Sequence, residues 1–318
     1  MSHRGGHAAA ARLLHTGLSR SPRHSGAMYD HAVIDGLKIH HRRHAHGVAP
    51  TLLLTNPWPQ NIHCWDSIWE GMAGHFNLLA YDMPGFGRSE GRPELMRPSE
   101  QGRFILKVLE HFGIERVHGI GPDVGAPAML WLAAQYPERL ESAVVVDGPG
   151  YYPPRYSWAL RALIGSRSLR ALAAVIGGPF ARTAMRHGYV RYRPSPAAQQ
   201  DYQVCNGDRA RFRLGLEYLA SFPQELPAIS KRLRSTRRPV LVLWGGRDRF
   251  LPESNGRALV QELSRARLEV FEDCGHFLQG DAGALFVERL VHWCGDGHLT
   301  LLSGNLPLKD TARFYAII

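Results

Sequence analysis

From Tyr29 onward, short apolar runs alternate with stretches in which apolar residues recur every three or four positions. Residues 29–44 (YDHAVIDGLKIHHRRH) predict a hairpin that turns at Asp35-Gly36, a pair suited to the left-handed backbone of a tight turn. The runs at 51–56 (TLLLTN), 77–82 (NLLAYD), 115–121 (ERVHGIG), 141–147 (ESAVVVD), 238–246 (RPVLVLWGG) and 266–273 (ARLEVFED) read as buried strands. Between them, helical spacing appears at 65–76, 97–113, 126–140 and about 253–263, and a closing helix is predicted at 281–294. Ser99 is placed to cap the helix at 97–113 and Gly113 to stop it. Strands separated by helices predict an α/β fold whose mostly parallel sheet is covered on both faces.

One interval breaks the alternation. Residues 150–228 are rich in Arg, Ala, Tyr and Pro and lack apolar strand runs, so they predict a helical cap inserted after the sixth strand. The resulting division is a core in two parts, 28–149 and 229–296, separated by the cap at 150–228. Residues 1–27 form a tail, disordered or an over-extended start before Met28. Residues 297–318 form a C-terminal tail that matches no expected element.

Composition adds little to this outline but excludes several classes. The 318 residues suit one large domain with an insertion. There is no run of 18 or more apolar residues, so no membrane span is expected, and no membrane partner. Of the formal charge of +10, Arg4, Arg12, Arg20 and Arg23 in the tail supply +4, leaving +6 for the rest. No nucleic-acid-binding motif accompanies this charge, so no nucleic-acid partner is expected. The N-terminal tail lacks the apolar run of a secretory leader, although its Arg/Ser-rich, acid-free make-up resembles an organelle transit peptide. Cys64, Cys205, Cys274 and Cys294 form no C-x-x-C pair and no disulfide framework, which fits a reducing, cytoplasmic compartment. No metal cluster or phosphate-binding loop is visible, so no cofactor is expected; the partner is a small-molecule substrate.

The chemistry is carried by three strand ends. Gly121-Pro122-Asp123-Val124-Gly125 lies between a strand and an apolar helix and has the form of a G-x-S-x-G nucleophile elbow with Asp in the place of Ser. Such a bend needs small residues two before and two after the nucleophile, because strand and helix approach closely there. The following helix N-terminus favours an anion, though an Asp at this place could equally be a helix cap. Asp248 follows the strand at 238–246 within GGRDRFLP, and His276 follows the next within FEDCGHF, 276 − 248 = 28 residues on. The order nucleophile, acid, His is that of α/β-hydrolases. Asp147, after the run ESAVVV, is an alternative acid. After the strand at 51–56, Asn56-Pro57-Trp58-Pro59 takes the place of an oxyanion loop, and the hole would join the backbone N–H groups of Trp58 and Val124.

On these motifs, together with DMPGFGRSE at 82–90, residues 28–294 resemble the α/β-hydrolase superfamily, specifically its epoxide hydrolase and haloalkane dehalogenase branch. The resemblance implies Asp123 as nucleophile, His276 as base on water and Asp248 as its orienting acid. It also implies a cis bond before the last proline of the oxyanion loop, here Trp58–Pro59. The family's His-Gly-x-Pro loop is Asn-Pro-Trp-Pro in this chain, and Pro57 removes one N–H. This departure leaves open a catalytically silent member that acts as a binding or accessory protein. The family's halide-binding Trp after the nucleophile is Val124 here, although Asn61, Trp58 and Trp65 could bind halide from another side. Cap tyrosines that donate to an epoxide oxygen have counterparts among Tyr151, Tyr152, Tyr156, Tyr189, Tyr192, Tyr202 and Tyr218, with Tyr218, Tyr151 and Tyr152 as the candidate acids. The expected activity is therefore epoxide hydrolysis through an Asp ester, with dehalogenation as the alternative.

Overall fold

The computed structural model describes residues 29–301 and 311–315; the N-terminal tail at 1–27 lies outside them. Nine strands form one sheet in the order β1-β2-β4-β3-β5-β6-β7-β8-β9. They are β1 (Tyr29–Ile34), β2 (Leu37–His44), β3 (Thr51–Leu54), β4 (Asn77–Tyr81), β5 (Val117–Pro122), β6 (Leu140–Val146), β7 (Val240–Gly245), β8 (Ala266–Phe271) and β9 (Thr311–Phe314). The β1–β2 and β2–β4 pairings are antiparallel and the remaining pairings are parallel. The hairpin turns where expected: Asp35 and Gly36 both have positive φ, 53° and 75°.

The strands are apolar on both sides because helices cover both faces. Leu53, Val145 and Val242 point to one side, where Phe104 of α2 (Pro98–His111), Leu130 of α3 (Gly125–Gln135) and Leu259 of α8 (Ser254–Glu262) pack. Their neighbours Leu52, Leu54, Val144, Val146, Leu241 and Leu243 point to the other, against Met72 of α1 (Trp69–Ala73), Leu278 of α9 (Leu278–Ala282) and Phe286 of α10 (Ala284–His292). Adjacent residues on opposite faces are the geometry of a pleated strand, so continuous apolar runs are what a two-sided core demands.

Between β6 and β7 the chain forms four helices, α4 (Trp158–Gly165), α5 (Arg167–Gly188), α6 (Pro196–Gly207) and α7 (Arg209–Leu233). The last runs past residue 228, where the composition shift had suggested the insertion ends. Helix α5 is kinked at Gly177, with φ 29° and ψ −97°.

Three local expectations need correction. Ser99 does not cap α2: the helix begins at Pro98 with Arg97 as N-cap and no side-chain capping bond, because proline's fixed φ already starts the helix one residue earlier. The closing helix is two, α9 and α10, broken at Gly283 with φ 52°. The C-terminal tail is not without an element: β9 pairs in parallel with β8, the Phe314 and Phe271 rings meet at a tilt with centroids 5.6 Å apart, and Arg313 pairs with Glu272 and Glu253.

Candidate active site

The elbow is set by crowding. Asp123 has φ 45°, a left-handed conformation that costs a non-glycine residue about 1–2 kcal/mol. Its N–H donates to the Val146 carbonyl at 2.8 Å, which fixes the bend against β6. A Cβ on Gly121 would sit 2.6 Å from the Gly125 carbonyl oxygen, and one on Gly125 would sit 2.1 Å from Thr55 Oγ1. Strand and helix therefore meet too closely for any side chain, which is why the motif requires glycine at both places. Asp123 is not a cap: the N-cap of α3 is Val124, with no side-chain capping bond. Its carboxylate points into a cavity instead.

The strand ends bring the predicted residues together. His276 Nδ1 lies 2.8 Å from Asp248 Oδ2, and His276 Nε2 lies 3.5 Å from Asp123 Oδ1. Asp248 is held in turn, since its Oδ1 accepts the N–H groups of Phe250 (2.7 Å) and Leu251 (3.0 Å). Burial alone would lower the imidazole pKa, but the carboxylates of Asp248 and Asp123 outweigh it and hold His276 well above its usual range. Phe250 and Phe277 flank the imidazole, each with its ring centroid 5.0 Å away.

Asp147, the alternative acid, sits elsewhere in this network. It is fully buried, and its Oδ1 accepts the Gly245 N–H at 2.7 Å. Burial, and then the charge of Asp248, push its carboxyl pKa well up. The direct bond to the imidazole belongs to Asp248 instead.

The Asn-Pro-Trp-Pro loop is well anchored. Asn56 Oδ1 accepts the Met83 N–H at 2.8 Å, and its Nδ2 donates to the carbonyls of Pro57 and Gln60. The Trp58–Pro59 bond is cis. The Trp58 N–H donates to Asp123 Oδ2 at 2.9 Å. The neighbouring DMPGFGRSE segment is fastened by Asp82, which accepts the N–H groups of Ile62 and Arg88 at 2.8 Å each and pairs with His40 Nδ1 at 2.8 Å. That motif is thus a clamp behind the oxyanion loop.

The three candidate tyrosines do not gather at Asp123. Tyr218 is fully buried, and its hydroxyl donates to the Val124 carbonyl at 2.8 Å, so it braces the elbow. The Tyr151 hydroxyl donates to Asn255 Oδ1 at 3.1 Å. Tyr152 is exposed and borders a separate hollow. Tyr156 is the one that lines the cavity with Asp123, and its buried hydroxyl has no hydrogen-bond partner among the described residues. Burial, and then the Asp123 charge, raise its pKa, so it keeps its proton. Sequence reasoning named Tyr156 among seven and did not single it out. Its signal is place: it sits just past β6, where the chain leaves the sheet's carboxyl edge, the side on which open α/β folds bind ligands.

The cavity holds about 330 Å³. Asp123, His276 and Tyr156 are its polar features, and Trp58, Leu160, Leu163, Phe222 and Phe250 are among its walls. Among the described lining residues there is no lysine or arginine. Of the halide donors considered, Trp65 Nε1 is taken by the Thr55 carbonyl (3.0 Å) and Asn61 Nδ2 by Asp201, which leaves the indole of Trp58.

Comparison with known proteins agrees with this architecture. The family described as the alpha/beta hydrolase fold matches residues 50–282. A 2-hydroxy-6-oxononadienedioate/2-hydroxy-6-oxononatrienedioate hydrolase of Paraburkholderia phymatum is 27% identical over 272 residues, 81% of this chain and 91% of that protein. A 2-hydroxy-6-oxo-6-phenylhexa-2,4-dienoate hydrolase of Burkholderia cepacia is 25% identical over 71% of this chain and 79% of its own. Among solved structures, the epoxide hydrolase CorEH superposes with a TM-score of 0.72 at 19% identity, covering 83% of this chain and 97% of that one. These two relatives are named as hydrolases of hydroxy-oxo-dienoic acids rather than for epoxide or halide chemistry, so the match is to the superfamily and not to the branch read from the motifs. With the sheet order, the helical insertion and the family match in agreement, this chain belongs to the α/β-hydrolase fold family.

Proposed function

We propose that the chain is a hydrolase that opens epoxides through an ester on Asp123. The observation that carries this reading is one apolar cavity that holds the Asp123 carboxyl group at the elbow, an imidazole beside it and a buried tyrosine hydroxyl with no partner among the described residues.

Trp58 holds Asp123 Oδ2, which leaves Oδ1 as the attacking atom. Oδ1 attacks an epoxide carbon, the C–O bond breaks, and Tyr156 gives its proton to the departing oxygen. The product is a hydroxyalkyl ester of Asp123. Esterification removes the Asp123 charge, which was helping to hold the proton on His276, and that proton passes to the Tyr156 phenolate left by ring opening. The imidazole then takes a proton from water, steadied by Asp248. The hydroxide attacks Cγ of Asp123, and the charge that develops on Oδ2 meets the N–H groups of Trp58 and Val124. Collapse breaks the bond between Cγ and the alkylated oxygen, the departing alkoxide takes the proton of the new carboxyl group, and Asp123 returns as a carboxylate with release of a diol.

Three other readings have less support. Dienoate hydrolysis, suggested by the relatives' names, requires attack on a carbonyl, and a carboxylate nucleophile would give a reactive anhydride; among the described lining residues there is also no lysine or arginine for an acidic substrate. Dehalogenation has one indole donor where a halide needs several. The silent-protein reading rested on the unusual loop, yet Trp58 N–H reaches Asp123 despite Pro57.

The test is a single turnover of a small epoxide panel in heavy-oxygen water. The label is expected first in Asp123 and then, on the next turnover, in the diol. Unlabelled Asp123, with activity retained in Asp123→Asn, would overturn the mechanism.

A further inference from the structure

The cap carries an apolar surface that the core packing does not use. Trp158 on α4 is 85% exposed, and Leu169, Leu172, Val175 and Ile176 on α5 are 43%, 59%, 59% and 45% exposed. Positions 169, 172 and 176 recur at helical spacing, so these side chains share one face of α5, while Ala173, Ala174 and Gly177 on the other face are buried. Scattered exposed apolar residues are ordinary, but a contiguous row of this size marks an interaction site.

Two further observations define the partner. Trp158, Leu169, Leu172 and Ile176 also line the cavity that contains Asp123, so the row is the rim of the active-site entrance. Around it arginine predominates: Val175 shares a hollow with Arg167, Arg170, Arg209 and Arg213, alongside Glu217 and Glu225 of α7. From Gly148 to Gln200 the sequence holds no Asp or Glu, and it holds eight arginines. Arg155, Arg161, Arg167, Arg182 and Arg186 are exposed. Tryptophan and leucine on one face, with arginines outnumbering the acids beside them, is the composition of a helix that lies in the interface of an anionic bilayer.

We propose that α4 and the first half of α5 dock on an anionic lipid surface. Trp158, Leu172, Val175 and Ile176 enter the headgroup boundary, and the flanking arginines pair with lipid phosphates. The cavity mouth then opens toward the lipid, so substrates of low water solubility pass into it without crossing water. Among the described residues no helix is long and apolar enough to span a membrane, so the contact is one of surface adsorption. The sequence reading expected no membrane partner; the folded cap argues otherwise, because the row exists once the helix has chosen which face to bury. Docking stands apart from the epoxide reading, since adsorption is measured without turnover.

The test is flotation of the full chain with vesicles of equal parts phosphatidylcholine and phosphatidylglycerol, and with phosphatidylcholine alone. The protein is expected to float with the anionic vesicles, less with the neutral ones, and less again at high salt. Leu172→Glu with Val175→Glu should abolish flotation, while Val48→Glu, at an exposed position between β2 and β3, should not. Thermal melts by circular dichroism confirm that each variant is folded. Arg161→Gln with Arg167→Gln should lower partitioning roughly thirtyfold. A wild-type chain that fails to float overturns the proposal, as does flotation unchanged in the Leu172/Val175 variant. A wild-type dimer that does not float and that Leu172→Glu splits into monomers assigns the row to a second copy and overturns it too.

Discussion

The amide nitrogen of Trp58 lies 2.9 Å from Oδ2 of Asp123, across 65 residues of sequence. In the proposed mechanism this bond decides which carboxylate oxygen attacks. With Oδ2 held by backbone, Oδ1 faces the cavity and stands 3.5 Å from the imidazole. It also places a donor where charge will develop in the second step, which is worth about 3 kcal/mol in comparable sites.

His276→Gln should leave ester formation intact and slow its hydrolysis by about 10²–10⁴-fold, the usual contribution of a general base. Mass spectrometry of the protein after one exposure to epoxide should show the added mass on the peptide containing Asp123. Rapid turnover by this variant would remove His276 from the role of base.

Tyr156→Phe should slow ring opening by about 10²–10⁴-fold. The same change should stabilise the fold slightly, because a buried hydroxyl without a partner costs about 1–3 kcal/mol. Tyr218→Phe should do the opposite in stability, losing about 1 kcal/mol with its bond to the Val124 carbonyl. Urea unfolding and single-turnover rates for the two variants separate the acid from the brace.

Asp123→Asn should lower the His276 pKa. Burial already pushes that pKa down, and the charges of Asp248 and Asp123 together pull it above the usual value. Removing one carboxylate charge therefore shifts it down, as esterification does during turnover. Titration of the imidazole resonances by NMR checks this; an unchanged value would mean that Asp123 does not hold the proton there.

His118 sets a limit on acid stability. Burial first, and then the charge of His298, lower its pKa from 6.5 to about 4. The unfolded chain takes up a proton at this site between those values and the folded chain does not. Stability from this site is thus complete above pH 6.5 and falls as the pH drops toward 4, by about 3 kcal/mol at most. His118→Gln should flatten that part of the stability profile in urea melts measured across this range.

The sequence by itself determined strands β1 to β8, their alternation with helices and the order Asp123, Asp248, His276, because buried parallel strands must be continuously apolar and these residues follow their ends. The glycines around Asp123 were legible for the same reason: a bend this crowded excludes side chains. Only the tertiary structure decided which tyrosine shares the cavity with Asp123. Tyr156, Tyr151 and Tyr218 look alike in a cap whose helices carry no strand register, and a hydroxyl's role depends on whether Asn255, the Val124 carbonyl or nothing lies opposite it. The same holds for Asp147 and Asp248, both at strand ends, where the 2.8 Å bond to His276 belongs to Asp248 alone. The last strand, Thr311–Phe314, was invisible for a related reason, since an edge strand takes its partner from a fold already built rather than from its own pattern.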